Sequence, residues 1–188
     1  MGRTAILGHP GAGKTTYARK LAKKTGATLV DNIPQKFMKR TGLSLGMPSD
    51  FRVEIMLLAE RMEAMFKYWD EDVIFTTTVL DSLVYQNIRK EIFLNDESIR
   101  EDMDFDKKAQ EVYDTTSLFL NVFFESFHFN KIVHLDTNIP DGDLYKQLVR
   151  FSIKDIIDMF LEGENIETIT TPTPTPRVSR NKVARSSE

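Results

Sequence analysis

Residues 6–22, ILGHPGAGKTTYARKLA, place a glycine-rich loop between a short apolar segment and an amphipathic one. Residues 8–15 match the pattern G-x-x-x-x-G-K-[ST], which marks a phosphate-binding loop when a strand enters it and a helix leaves it. The apolar residues 3–7 predict that strand. Behind the loop, apolar residues recur at helical spacing until a helix stop at Gly26. The stretch therefore predicts a strand, a phosphate loop and a helix in direct succession.

Each residue type in the phosphate loop (residues 8–15) has a physical reason. Gly11 and Gly13 allow the backbone to curl so that its N–H groups face inward, and the helix N-terminus adds to the same anion site. Lys14 can reach the β- and γ-phosphates, and the Thr15 hydroxyl suits a bridging Mg²⁺. We predict ATP and Mg²⁺ as cofactors, with nucleotide contacts from Gly8, Pro10, Gly11, Ala12, Gly13, Lys14, Thr15 and Thr16. His9 fills a free position of the pattern, and we expect it to be exposed and without a role.

Bulk composition narrows the class of protein. The 188 residues suffice for one domain, and a net charge of −3 gives no reason to expect a general nucleic-acid binder. The chain has no cysteine, which excludes disulfides and thiolate zinc sites, and its three histidines lack metal-ligand spacing. No apolar run approaches the roughly 20 residues of a membrane span, and no signal peptide precedes the first strand. We expect a cytoplasmic protein without a membrane segment.

Strands and helices alternate along the chain, which predicts a parallel sheet covered on both faces. The fold class is therefore an α/β three-layer sandwich formed by residues 1–170. Predicted strands occupy residues 3–7, 27–31, 72–78, 131–135 and 166–170. Predicted helices occupy residues 14–24, 34–40, 81–94, 109–127 and 144–161, and a further one is capped by Ser49 or Asp50, with an apolar face of Ile55, Leu58, Met62, Met65 and Trp69.

Two segments carry additional predictions. Helix 109–127 is apolar on most sides, and the excess over one core-facing stripe leaves room for a homodimer interface. The basic tail 171–188 is rich in Thr-Pro pairs and has almost nothing to bury, which predicts disorder. A solvated tail is favoured there over one that binds a polyanion.

The motifs that the sequence lacks exclude two classes of nucleotide-binding protein. No Asp is followed by Gly three residues later, and Asn130-Lys131 continues as Ile-Val, so both GTPase motifs are missing. The strand 73–78 ends in threonines rather than Asp-Glu, and too little chain remains for the lid domain of an AAA-type ATPase. These absences leave the small kinases.

Three stretches resemble nucleoside and nucleoside-monophosphate kinases, including small phage-type phosphate-loop kinases. They are GHPGAGKTTYARKLA, VIFTTTVLDSLVY and KIVHLDTNIPDGDLYKQLVR. The resemblance implies a five-stranded parallel sheet of order 2-3-1-4-5 and an ATP-dependent phosphotransferase acting on a nucleoside or nucleotide. It also implies acceptor-binding segments at about 32–70 and 81–110 and a lid at about 141–160. The first stretch is also similar to polynucleotide kinases and zeta-toxin-like kinases, which keeps a hydroxyl group on nucleic acid open as the acceptor.

The resemblance assigns catalytic positions and shows one departure. Lys146 and Arg150, one turn apart on the lid helix, would neutralise charge on the transferring phosphoryl group. Where the related families carry an acid and an arginine, at the end of the third strand, this chain has Thr76 and Thr77. Neither threonine can accept a proton or carry charge at neutral pH. Asp31, after the second strand, is the predicted base, as in polynucleotide-kinase-like enzymes.

Alternatives to the Asp31 prediction stay open. Asp81 is the next carboxylate, although capping of its own helix is favoured there. An acceptor that is already an anion needs less help from a base, and a module that binds ATP without turnover needs none. On the acceptor side we predict Arg52, Asp81 and Tyr85 as binding residues. Arg52 begins a helix, where the helix dipole disfavours a cation, and this placement suggests a bound anion. Phe51 and Trp69 are predicted to be core residues.

Overall fold

The computed structural model describes residues 2–43, 51–95, 127–139, 142–161 and 165–171, together with the helical residues 111, 115, 118 and 123. The side chains of residues 51, 52, 89–95, 159, 160 and 171 are outside that description. Three predictions therefore lie outside the described residues: the helix cap at residues 49–50, the dimer interface on most of 109–127, and the disordered tail beyond residue 171. Residue 171 itself ends a strand, so the predicted tail begins one residue too early.

A five-stranded sheet forms the centre of the fold. Its strands are β1 (Arg3–Leu7), β2 (Thr28–Val30), β3 (Val73–Phe75), β4 (Lys131–Thr137) and β5 (Ile166–Thr171). Every neighbouring pair is parallel, and the order is β2-β3-β1-β4-β5. The predicted fold class and strand order are confirmed. Parallel pairing places the carboxyl ends of all five strands at one edge, where ligands of open α/β sheets collect.

Five described helices cover the two faces of the sheet. They are α1 (Lys14–Thr25), α2 (Ile33–Thr41), α3 (Phe51–Lys67), α4 (Val79–Asn95) and α5 (Leu144–Phe160). Helices α1 and α2 end at Gly26 and Gly42, both in the left-handed conformation, and each glycine N–H donates to the carbonyl four residues earlier. The predicted stop at Gly26 thus has its physical basis in a glycine C-cap.

The core has two layers because successive residues of a strand point to opposite faces. Ala5 and Leu7 of β1 join the larger cluster, which includes Phe75, Phe127 and residues of α3, α4 and α5. Ile6 joins the smaller cluster under α1. Trp69 packs edge-on against Phe127 at 4.9 Å between ring centroids, as a core residue should.

Two predicted details of this fold are wrong. Strand β3 ends at Phe75, because the chain turns at Thr76 and Thr77 and α4 begins two residues before the predicted start. The apolar face predicted for α3 is confirmed at Met65, which is buried, and at Leu58, Met62 and Trp69, which pack against the core. The predicted Ile55 is instead 47% exposed, and the buried surface extends to Val53, Leu57 and Arg61. The apolar residues of α3 fit more than one stripe, and only packing against α2 and α4 determines which of them are buried.

Candidate functional site

The phosphate loop leads from β1 into α1 through glycines held in the left-handed region. Gly11 has φ 88° and Gly13 has φ 87°. Gly13 is the N-cap of α1, and no side chain caps that helix. The amides of its first turn are therefore left for a ligand, and a helix N-terminus favours an anion. The local geometry is that of a phosphate site.

A cavity of about 480 Å³ opens at the carboxyl edge of the sheet. One wall is the phosphate loop and the start of α1. The other walls come from the segment after β2, from α3, from the start of α4 and from α5. Of the predicted nucleotide contacts, Pro10, Gly11, Gly13, Lys14, Thr15 and Thr16 line the cavity. Gly8 and Ala12 lie behind this lining, and the Gly8 carbonyl accepts a hydrogen bond from Lys14 Nζ.

Lys14 has its amine held between the loop and the opposite wall. Besides bonding to Gly8, its Nζ lies 3.8 Å from Oδ1 of Asp81. Burial lowers the pKa of the Lys14 amine, Asp81 opposes that shift, and Arg61 adds to it. The three charged groups thus act on one another within one cavity. A phosphate brought to Lys14 would arrive beside the Asp81 carboxylate.

The two carboxylate oxygens of Asp81 contact different neighbours. Its Oδ2 accepts from the Thr78 backbone N–H at 2.7 Å, and Thr78 Oγ1 in turn accepts from the Leu80 N–H at 3.2 Å. This reciprocal pattern is a capping box at the start of α4. The expected capping role of Asp81 is therefore present. Because capping occupies Oδ2, Oδ1 remains directed toward Lys14 and the cavity.

Arg61 is a cavity residue that the sequence reasoning missed. It lies on α3, is 1% exposed, and its Nη1 donates to Ser82 Oγ. Its Nε has no hydrogen-bond partner. A guanidinium is almost never fully buried without a compensating partner. Leu57, Arg61 and Met65 stand at helical spacing in the sequence, but only the packing of α3 against its neighbours shows that this stripe is buried.

Two tyrosines and a glutamate complete the wall opposite the phosphate loop. Tyr85 on α4, a predicted acceptor contact, and Tyr145 on α5 line the cavity, and each tyrosine affects the pKa of the other. Burial raises the pKa of the Tyr85 hydroxyl, and Tyr145 and Asp81 raise it further. Burial likewise raises the pKa of Tyr145, with a smaller contribution from Glu54. Both hydroxyls therefore stay protonated and available for hydrogen bonds at neutral pH.

Thr76 and Thr77 line the same cavity. They stand where the family resemblance predicts an acid and an arginine. Thr77 Oγ1 is buried without a hydrogen-bond partner. An acid and an arginine do stand in this cavity, but they come from α4 and α3 as Asp81 and Arg61. Helices α4 and α3 thus supply the carboxylate and the guanidinium that the end of β3 lacks.

Three residues predicted as catalytic lie outside the cavity lining. Asp31 pairs with Arg19 of α1 at 3.2 Å. Lys146 pairs with Asp143, the N-cap residue of its own helix. Arg150 faces Asp136 at the end of β4, with Nε and Nη2 each 2.7 Å from a carboxylate oxygen. The structure does not bring these three side chains to Lys14, and their catalytic roles stay predictions. For Arg52 only the backbone, in the first turn of α3, is described.

His9 contradicts the expectation of an exposed side chain. It is 5% exposed and lines the cavity. One ring nitrogen lies 2.8 Å from the Pro10 carbonyl oxygen, and the other contacts the Thr137 hydroxyl at the end of β4. The ring therefore ties the phosphate loop to the neighbouring strand. Sequence gave no hint of this contact, because Thr137 is 128 residues away.

Two further absences concern the described part of the chain. None of its helices has the length and apolar character needed to cross a membrane. No group of three His, Asp or Glu side chains there is arranged to hold a metal ion.

Comparison with known proteins gives structural likeness without sequence likeness. No protein-family profile matches the chain, and no curated protein matches it in sequence. Deoxyadenosine kinase from M. mycoides with bound dATP superposes with a TM-score of 0.62 at 16% identity, covering 90% of each chain. Thymidylate kinase from Candida albicans gives a TM-score of 0.61 at 15% identity, covering 93% of this chain and 85% of that one.

A third similar structure is the NadR protein in complex with NR, with a TM-score of 0.60 at 10% identity. The match covers 89% of this chain and 43% of that chain. At such low sequence identities the structural similarity supports a shared fold. The chain has the fold of the phosphate-loop nucleoside and nucleotide kinases.

Proposed function

We propose that the protein is an ATP-dependent kinase that transfers the γ-phosphoryl group to a nucleoside or nucleotide. The observation that carries this proposal is the shared cavity. The phosphate loop, which suits a triphosphate, and a wall of acidic, basic and hydroxyl side chains, which suits an acceptor, face each other across it. Phosphoryl transfer requires this arrangement, because the enzyme works mainly by positioning two reactants and stabilising charge between them.

The donor side of the cavity accounts for ATP binding. Loop amides and the α1 N-terminus would hold the β-phosphate, and Lys14 would reach the γ-phosphate. Deoxyadenosine kinase, which shares the fold, binds dATP in its structure. The same kinase has also been solved with dCTP, so the likeness supports a nucleoside triphosphate as a ligand of this fold without a preference for one base. Thr16 would add a hydroxyl contact to the α-phosphate.

The site also fits Mg²⁺. Thr15 lines the cavity next to Lys14, and the described residues offer no cage of three acidic or histidine ligands. Mg²⁺ characteristically binds through one or two protein ligands, substrate phosphates and water, so the donor set agrees with it. Thr15 would be the protein ligand, and the ion would neutralise charge on the β- and γ-phosphates.

A second candidate function is an ATP-binding module with little turnover. Thr76 and Thr77 favour it, since both line the cavity where a proton acceptor and a cation are expected. Asp81 and Arg61, in the same cavity, favour catalysis instead. The two functions make opposite predictions for ATP consumption in the presence of acceptors.

The test combines ATP binding with acceptor-dependent turnover. Calorimetry gives the ATP affinity, and a coupled assay gives ADP release with Mg²⁺ against deoxynucleosides, their monophosphates and a 5′-hydroxyl oligonucleotide. We expect an acceptor to stimulate ADP release. Lys14→Ala should abolish it, whereas Lys20→Ala, an exposed lysine on the same helix, should not. ATP binding without stimulation by any acceptor would instead favour the binding module.

A further inference from the structure

We propose that the acceptor is an uncharged nucleoside hydroxyl and that Asp81 is the base that takes its proton. This inference rests on the proposed kinase function and deepens it, because that function leaves nucleoside and monophosphate open. It also replaces Asp31, the base predicted from sequence, with a residue that lines the cavity. Two sets of observations carry it: the position of Asp81 and the balance of charge around the acceptor.

The position of Asp81 matches that of a base. Its Oδ1 lies 3.8 Å from Lys14 Nζ, so it stands beside the place where Lys14 would hold the γ-phosphoryl group. The capping box fixes the carboxylate through Oδ2. A fixed carboxylate needs no reorganisation to meet a hydroxyl at hydrogen-bond distance. Asp31, in contrast, is paired with Arg19 and does not line the cavity.

The charges around the cavity argue against a second phosphate. In the part of the chain that the structure describes, the charged side chains of the lining are Lys14, Arg61, Glu54 and Asp81. Lys14 would pair with the phosphates of the donor. One cation, Arg61, then faces two carboxylates on the acceptor side. A monophosphate would bring further negative charge to that side, whereas a nucleoside would bring none.

Three described cations of the acceptor and lid segments are paired with carboxylates away from the cavity. Lys146 and Arg150 are paired with Asp143 and Asp136, and Arg40 is paired with Glu60. None of these three cations lines the cavity. The acceptor wall offers hydrogen-bonding groups instead, from Tyr85 and Tyr145 among others. Hydroxyls of this kind suit the sugar and base of a nucleoside.

The reaction step balances without any further reactant. The acceptor hydroxyl oxygen forms a bond to the γ-phosphorus, and its proton passes to Asp81 Oδ1. The bond between the γ-phosphorus and the β,γ-bridging oxygen breaks, and ADP leaves with that electron pair. Asp81 later returns the proton to solvent. Lys14 neutralises charge on the phosphoryl group as it moves.

The test compares acceptors and carboxamide variants at saturating MgATP. Deoxyadenosine, deoxyguanosine, deoxycytidine and thymidine are assayed against their own 5′-monophosphates. We expect at least one nucleoside to exceed its monophosphate in kcat/KM by about tenfold or more. Asp81→Asn should lower kcat by about 10²- to 10⁴-fold, the usual contribution of a general base. Because the Asn oxygen can still accept from Thr78, the variant should stay folded, and loss of the carboxylate beside Lys14 should not weaken ATP binding.

Asp155→Asn is the matched control, an exposed aspartate on α5 that does not line the cavity, and should keep full activity. A preference for monophosphates would overturn the inference and assign Arg61 to the acceptor phosphate, with kinase activity intact. Loss of kcat in Asp31→Asn but not in Asp81→Asn would overturn it as well. If ATP binds and no acceptor is phosphorylated, the proposed kinase function itself fails.

Discussion

The two walls of the cavity are built in different ways. The donor wall is one continuous segment, residues 8–16, whose geometry follows from a strand, a glycine-rich turn and a helix N-terminus. The acceptor wall is assembled from α3, α4, α5 and the segment after β2. Its key groups, Arg61 and Asp81, are 20 residues apart in sequence and meet through the fold alone. A local motif can be read from sequence, whereas an assembled wall requires the packing of helices.

The largest effect on stability should come from the acceptor wall. Arg61→Met removes a buried guanidinium that donates to Ser82 and faces two carboxylates. We expect the free energy of unfolding to fall by about 1–3 kcal/mol, the usual cost of losing a hydrogen bond to a charged group. Urea denaturation measures it. Arg40→Met, on an exposed arginine paired with Glu60, should cost clearly less, because solvent screens an exposed ion pair. Equal losses of unfolding free energy in the two variants would mean that burial adds nothing to the contribution of Arg61.

The donor wall should respond to a change of backbone conformation. Gly13→Ala forces a side chain into the left-handed region at φ 87°, at a cost of about 1–2 kcal/mol. Since that conformation aims the loop amides, ATP affinity should fall by about tenfold or more, as measured by calorimetry. Gly42→Ala is the matched control, with φ 71° at the end of α2 and equally open space around its Cβ position. It should lose similar stability and keep its ATP affinity. A shared loss of affinity would contradict the localised effect.

The capping box at the start of α4 affects both walls of the cavity, because it holds Asp81 opposite Lys14. Thr78→Ala removes the side chain that accepts from Leu80, and we expect a loss of about 1 kcal/mol in the free energy of unfolding. Turnover should fall severalfold while ATP affinity is kept, since Asp81 loses part of its support. Thr78→Ser should restore both. Failure of Ser to rescue would show that the methyl group of Thr78, which is fully buried, matters more than its hydroxyl.

The smallest effect is expected at α5, the helix for which the family resemblance predicts a lid. Arg150→Ala breaks an exposed pair with Asp136, and such pairs are worth about 0–1 kcal/mol. On this basis kcat should change by less than about fivefold. The lid role predicted from sequence requires Arg150 to leave Asp136 and reach the phosphates. A loss of kcat of a hundredfold or more would show that it does, and would restore that prediction.

The features that could be predicted from sequence divide in the same way, into local patterns and contacts made by packing. The parallel sheet, the phosphate loop and the helix stop at Gly26 could be predicted because each depends on a local pattern or on alternation of elements, whereas the strand order followed from the family resemblance. The second buried stripe of α3, formed by Val53, Leu57 and Arg61, could not be predicted, because its burial depends on packing against neighbouring helices. Arg61 was missed for that reason. His9 was misjudged because its partner, Thr137, lies on another strand.

Asp31 and Asp81 illustrate the limit most clearly. Both stand near the carboxyl edge of the sheet, and sequence alone ranked Asp31 first. The ranking depended on which side chain turns toward the phosphate loop. Arg19 of α1, which does not line the cavity, pairs with Asp31. Thr78 directs Asp81 inward by taking one carboxylate oxygen. Side-chain partners, rather than positions along the chain, separate the two carboxylates.

The most direct test of the account is transfer of label from [γ-³²P]ATP to a panel of deoxynucleosides and their 5′-monophosphates, with products separated by chromatography. The account predicts that label moves from ATP to a nucleoside monophosphate in the wild type and that Lys14→Ala transfers none. Label that appears only as inorganic phosphate, or stays in ATP with every acceptor, would contradict the claim that donor and acceptor meet in one cavity.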